Sequence, residues 1–169
     1  HIGKVLSGLA DTDHGQDSTL EHIGRGIRKT YQRRIDAAKQ AKASGNTMRS
    51  KVQELSEKMI VPMFNSGVNI VAGSDCGAYN SFVYPGQSLH AELKALVDAG
   101  LTPAQALQTS VINGPKFFGL EKDYGAIEKG KIGDILILNK NPLENIENTS
   151  SIIYVIKNGE TMKPRDLAD

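Results

Sequence analysis

The chain has 169 residues and a mass of 18.3 kDa, a length at which one domain is the default and a core can form without disulfides or structural metal. Hydrophobic residues make up 39%, charged residues 23% and aromatics 5% with no Trp, which excludes a collagen, a coiled-coil rod and a disordered tail. Twenty Lys and Arg against nineteen Asp and Glu give +1, so no overall field argues for nucleic acid or an anionic membrane as partner. Cys76 is the single cysteine, so no intrachain bridge can form, and the redox compartment stays open. No apolar run reaches the roughly 18 residues of a membrane span, and the start does not resemble a signal peptide. The chain begins at His1 rather than Met, so a piece of a longer protein is the expectation, and localisation stays open.

Residues 1–22 carry three Gly and a cluster of Asp, Thr and His, a composition that predicts loop with at most one short element. Ser18 with Glu21 three residues later fits a capping box. Ile23, Ile27, Tyr31 and Ile35 then recur at steps of four, predicting a helix that ends near Ser44-Gly45-Asn46. Thr47 can cap a second helix with Val52, Leu55, Met59, Ile60, Met63 and Phe64 on one apolar face. Pro62 would kink it, and Ser66-Gly67 would stop it. Val68 to Ala72, β-branched and bounded by glycines, reads as a buried strand.

The segment from Cys76 to Gln87 reads as loop, and Ser88 as the cap of a helix bearing Leu89, Leu93, Leu96 and Val97 and ending at Gly100. Thr102-Pro103-Ala104-Gln105 combines an N-cap, a first-turn Pro and a capping-box Gln, so a helix begins at 103. Asn113-Gly114-Pro115 breaks it before a short turn around Phe117 and Phe118. Strands follow at Ile135 to Leu138 and Ile152 to Ile156, and Asn158-Gly159 signals a tight hairpin into Glu160 to Met162. One strand between two helix pairs cannot form a parallel sheet alone, so this order describes an incomplete fold.

Asp75, in Gly-Ser-Asp directly after the 68–72 strand, is the first candidate for chemistry, because function collects at the carboxyl ends of parallel strands. A carboxylate there can ligate a divalent cation or accept a proton from water. It can equally cap the following turn through its own side chain.

The stretches Val68 to Asp75, Leu89-His90-Ala91-Glu92-Leu93 and Ala99 to Leu107 resemble the last barrel unit of the metal-dependent amidohydrolase superfamily. Gly125 to Leu138, Asn141-Pro142-Leu143 and Val155 to Gly159 are similar to that family's closing β-sandwich segment. The nearest pattern is that of the imidazolonepropionase-like and prolidase-like branches. The resemblance implies an α/β fold, the C-terminal portion of a (β/α)8 TIM-type barrel joined to short strands of a β-sandwich. In these terms residues 1–119 are the barrel part, with 1–46 a loop and helical insertion and 47–119 the last barrel unit, and 120–169 are the sandwich segment.

The function implied is hydrolysis of C–N bonds in small-molecule or peptide-like amides, with Asp75 as metal ligand and general base and Tyr79 and Asn80 as substrate contacts. The cofactor implied is a divalent metal, zinc foremost, in the full-length protein. The family's His-x-His pair and its later histidine ligands are absent unless His14 or His22 stands in. A single carboxylate cannot hold a catalytic zinc that takes three protein ligands, so the chain alone is expected to be inactive and to need the remainder of the barrel as partner. His90, in the first turn of its helix, is expected to make a neutral polar contact to the Cys76–Gln87 loop.

Arg25 to Lys58 holds ten basic residues against Asp36, Glu54 and Glu57, and a binding or assembly module using this basic helical region is the alternative function. No aromatic residues interleave with the basic ones, so neither nucleic acid nor membrane is expected as partner, and a solvated basic face is the simpler reading. Without its barrel neighbours the chain should expose apolar surface and an unpaired edge, which makes a homo-oligomer conceivable.

Overall fold

The computed structural model describes residues 2–15, 17–77 and 80–164. In chain order it contains α1 (Ile2–Ser7), α2 (Arg25–Ala43), α3 (Met48–Asn65), α4 (Gln87–Asp98), α5 (Pro103–Val111), α6 (Asn113–Phe118), β1 (Ile135–Leu138), β2 (Ile152–Lys157) and β3 (Glu160–Met162). Short 3-10 turns cover Ser18–His22 and Ile146–Ser150. The chain divides into two compact units. The first comprises residues 1–59 and 74–88, the second residues 60–73 and 89–169.

The first unit is centred on Leu9, Tyr31, Phe82 and Tyr84, with Val5, Leu20, Ile23, Ile35 and Ala38 around them. Its long helix starts at Arg25, after Gly24, and not at the Ser18 capping box. Asp17 takes the capping role there. Its Oδ1 accepts from the Thr19 amide at 3.0 Å and closes a separate 3-10 turn, so the chain turns before the helix begins. Residues 2–22 also carry two short elements, α1 and this turn, where at most one was expected. α3 runs through Pro62 to Asn65, and Gly67 at φ +78° ends it.

The second unit buries Leu93, Leu96, Leu101, Ala106 and Ile146, with Ile60, Val61, Phe64, Ala72, Val97 and Leu107 against them. Thr102 and Gln105 form the expected capping box at α5. The Thr102 hydroxyl accepts from the Gln105 amide at 3.3 Å, and the Gln105 side chain accepts from the Thr102 amide at 2.8 Å. The three strands form an antiparallel sheet in the order β1-β2-β3, with an irregularity between Ile137 and Leu138. Asn158 at φ +51° and Gly159 at φ +84° make the tight turn between β2 and β3.

Residues 68–72, expected as a strand, are not paired with any strand among the described residues. A parallel strand exists only through a neighbour's backbone, and here that role falls to α5 and α6. The Ala72 amide donates to the Thr109 carbonyl at 3.1 Å, and Asn113 Nδ2 donates to the Ile70 carbonyl at 2.8 Å. Asn69 Nδ2 donates in return to the Asn113 carbonyl at 3.3 Å.

Several large apolar side chains remain exposed. Met48, Val52, Leu55 and Met59 on α3 are each more than half exposed, and Leu136 and Ile153 are exposed on the sheet.

Candidate active site

Asp75 lies in the first unit, in the irregular segment after Gly73-Ser74. Its backbone sits at φ +49°, in the left-handed region that Asp and Asn tolerate better than other side chains. Asn80 holds that conformation. Its Nδ2 donates to the Asp75 carbonyl at 2.6 Å, and its own amide donates to the Gly77 carbonyl at 3.0 Å within an isolated antiparallel bridge. The Asp75 residue is exposed, and its carboxylate has no hydrogen-bond or ion-pair partner among the described residues. The turn is therefore tied by the Asp75 carbonyl. Tyr79 lies outside the described residues.

Downstream of Asn80 the chain enters the core of the unit. Phe82 is buried at φ +64°, a conformation that costs a bulky side chain roughly 1–3 kcal/mol and persists only where packing enforces it. Here the enforcement is aromatic. The His14 ring stacks on Phe82 at 3.7 Å between centroids and 15° between planes, and Tyr31 meets Phe82 at 4.8 Å. His14 Nε2 is buried and has no hydrogen-bond partner among the described residues.

Two residues on, the Tyr84 hydroxyl donates to Asp17 Oδ2 at 2.5 Å. Burial, then the hydrogen bond and charge of Asp17, push the Tyr84 phenol far above the usual tyrosine value. Burial likewise raises Tyr31, helped by Asp17 and opposed by its contact to the Phe82 backbone and by Arg34.

The other expected residues fall elsewhere. His22 is exposed in the 3-10 turn. Among the described residues no three of His, Cys, Asp and Glu come together as a metal site, so these residues do not by themselves fit a divalent ion. His90 Nδ1 meets Thr149 Oγ1 at 3.0 Å, in the Ile146–Ser150 turn of its own unit. Ser88 sits inside the first turn of α4, where its hydroxyl accepts from the Tyr84 amide at 2.8 Å.

The basic residues of α2 and α3 are exposed apart from half-buried Arg34. Lys42 pairs with Asp11, and Lys58 pairs with Glu54 and holds its carboxyl below the ordinary range. Sequence reasoning missed Asp17 and Tyr84. Asp17-Ser18-Thr19 carried a capping signal that the Ser18 to Glu21 spacing masked.

Residues 19–162 match the model of the amidohydrolase family. The chain belongs to that family. It is 31% identical over 100 residues to the imidazolonepropionase of Acinetobacter baumannii, a match covering 56% of this chain and 22% of that protein. Among solved structures it is similar to molinate hydrolase, with a TM-score of 0.58 and 25% identity over 64% of this chain and 26% of the other. A Bifidobacterium longum protein assigned as a prolidase gives a TM-score of 0.57 and 27% identity over 94% of this chain and 34% of the other. The amidohydrolase chain thus spans about a fifth to a third of the length of these relatives. Its architecture, helices with a small antiparallel sheet, accompanies a likeness to amidohydrolase folds.

Proposed function

We propose that this chain is the C-terminal part of a metal-dependent hydrolase that cleaves C–N bonds in amide, cyclic amide or peptide-like substrates. In this reading residues 47–119 are the last unit of a (β/α)8 barrel, 1–46 a loop and helical insertion, and 120–169 a segment of an attached β-sandwich. The observation that carries the reading is Asp75: an exposed carboxylate without a partner among the described residues, on a left-handed backbone braced by Asn80, within the span matched to the family.

Asp75 is the proton carrier of the reaction. Its carboxylate takes a proton from water as the water oxygen adds to the substrate carbonyl carbon. It then passes that proton to the nitrogen as the C–N bond breaks, which returns the carboxylate to its starting state. Asn80 positions the group through the Asp75 carbonyl and, with Tyr79, contacts the substrate. The described residues do not by themselves fit a divalent ion, and in this reading zinc takes its remaining ligands from the rest of the barrel.

The test is Asp75→Asn in the full-length protein, assayed on a panel of amides and dipeptides. Turnover should fall by about 100- to 10,000-fold with the melting temperature unchanged. Turnover retained by a folded Asp75→Asn protein overturns the assignment.

A further inference from the structure

The first unit contains a concave feature that the proposed chemistry does not use. It is an open groove of about 630 Å³, lined by residues 10–15, by Leu20, by one face of α2 and by Phe82. That volume suits a small organic molecule. Its floor is aromatic and aliphatic, from the stacked His14 and Phe82 rings, buried Tyr31 and Ile35.

The charges around it are unequally committed. Asp11 is taken by Lys42, and Asp13 Oδ1 accepts from the Gly15 amide at 2.9 Å. Arg28 and Lys39 also line the groove, and neither has a hydrogen-bond or ion-pair partner among the described residues. They stand eleven positions apart on α2, roughly 16 Å along its axis, so one small group meets one of them at a time. A buried polar atom without a partner calls for an explanation, and His14, a residue of the groove lining, carries such an atom in Nε2.

We infer that this groove is a binding site for a small carboxylate with a flat apolar body. The planar guanidinium of Arg28 presents paired donors that match the two oxygens of a carboxylate, a fit that the point charge of Lys39 lacks. Lys39 adds attraction from the far end of the groove. The flat body lies on the aromatic floor, against the His14 and Phe82 rings. Net attraction for an anion follows because Lys42 meets the charge of Asp11, which leaves Arg28 and Lys39 in the lining against Asp13 alone.

The probe is 3-phenylpropanoate, which joins a phenyl ring to a carboxylate and has no C–N bond to cleave, titrated calorimetrically into the full-length protein, with 3-phenylpropan-1-ol as its uncharged counterpart. The carboxylate should bind saturably and at least tenfold tighter than the alcohol. Arg28→Gln should weaken the carboxylate at least tenfold and leave the alcohol unchanged, and Lys39→Gln should weaken the carboxylate less. Both side chains are exposed, so both variants should melt as the parent does. Asp75→Asn should bind 3-phenylpropanoate unchanged, which separates this site from the reading of Asp75. Absence of saturable binding, equal affinity for the two probes, indifference to Arg28→Gln, or loss of 3-phenylpropanoate binding in Asp75→Asn each overturns the inference.

Discussion

Tyr84 and Asp17 are 67 positions apart in the chain and meet through a 2.5 Å hydrogen bond that joins the segment after Asp75 to the turn bearing His22. Asp17 serves two donors at once, the Thr19 amide on one oxygen and the Tyr84 hydroxyl on the other. Tyr84→Phe keeps the ring and removes the donor, leaving one carboxylate oxygen without its partner. Stability should fall by about 1–3 kcal/mol, measured by urea unfolding. An unchanged midpoint would show the bond to be replaced by water without penalty.

The same pair makes stability sensitive to alkali. Tyr84 and Tyr31 both have folded-state values raised above the ordinary 10.0, so above pH 10 the unfolded chain loses these protons before the folded chain does. The stabilisation is complete below pH 10 and is lost as pH climbs through the folded-state values. Unfolding free energy should therefore decline above pH 10, and Tyr84→Phe should flatten the decline, with Tyr31 supplying what remains. A slope identical in both proteins would contradict this.

The left-handed backbone at Asp75 predicts an order among its substitutions. Asn should be tolerated without loss, Gly should match or exceed the parent, and Ala should lose about 1 kcal/mol, because Asp and Asn enter the left-handed region more readily than Ala and Gly enters it freely. Thermal melts of the three variants check the order. An Ala variant as stable as Asn would mean that the loop relaxes to another conformation.

At α5 the reciprocal bonds between Thr102 and Gln105 predict that Thr102→Ala lowers stability by about 1 kcal/mol, and that Thr102→Ser loses only a few tenths. Chemical denaturation of both variants separates the cap from the lost methyl group.

These contrasts mark what the sequence carries in itself. The α5 cap and the Asn158-Gly159 hairpin were legible because each is specified by residues within four positions of one another. The 68–72 segment is unpaired among the described residues because strand identity belongs to a pair, and the Val and Ile residues there cannot declare whether a neighbour exists. The start of α2 was misplaced because two capping signals overlap, and Asp17 prevails through its bond to the Thr19 amide. At the candidate site, Asp75 is proposed from its place after an apolar run. Its brace by Asn80 and the groove walled by His14 and Phe82 were not legible in the sequence. They depend on backbone torsions and on contacts across dozens of residues.

The exposed α3 stripe has a chemical consequence. Its two outermost members, Met48 and Met59, are thioethers open to solvent, and peroxide converts such groups to polar sulfoxides. Oxidation would wet both ends of the stripe while sparing Val52 and Leu55 between them. The rate at which mass spectrometry records those two added oxygens is thus a gauge of how far this helix face is shielded in any larger assembly.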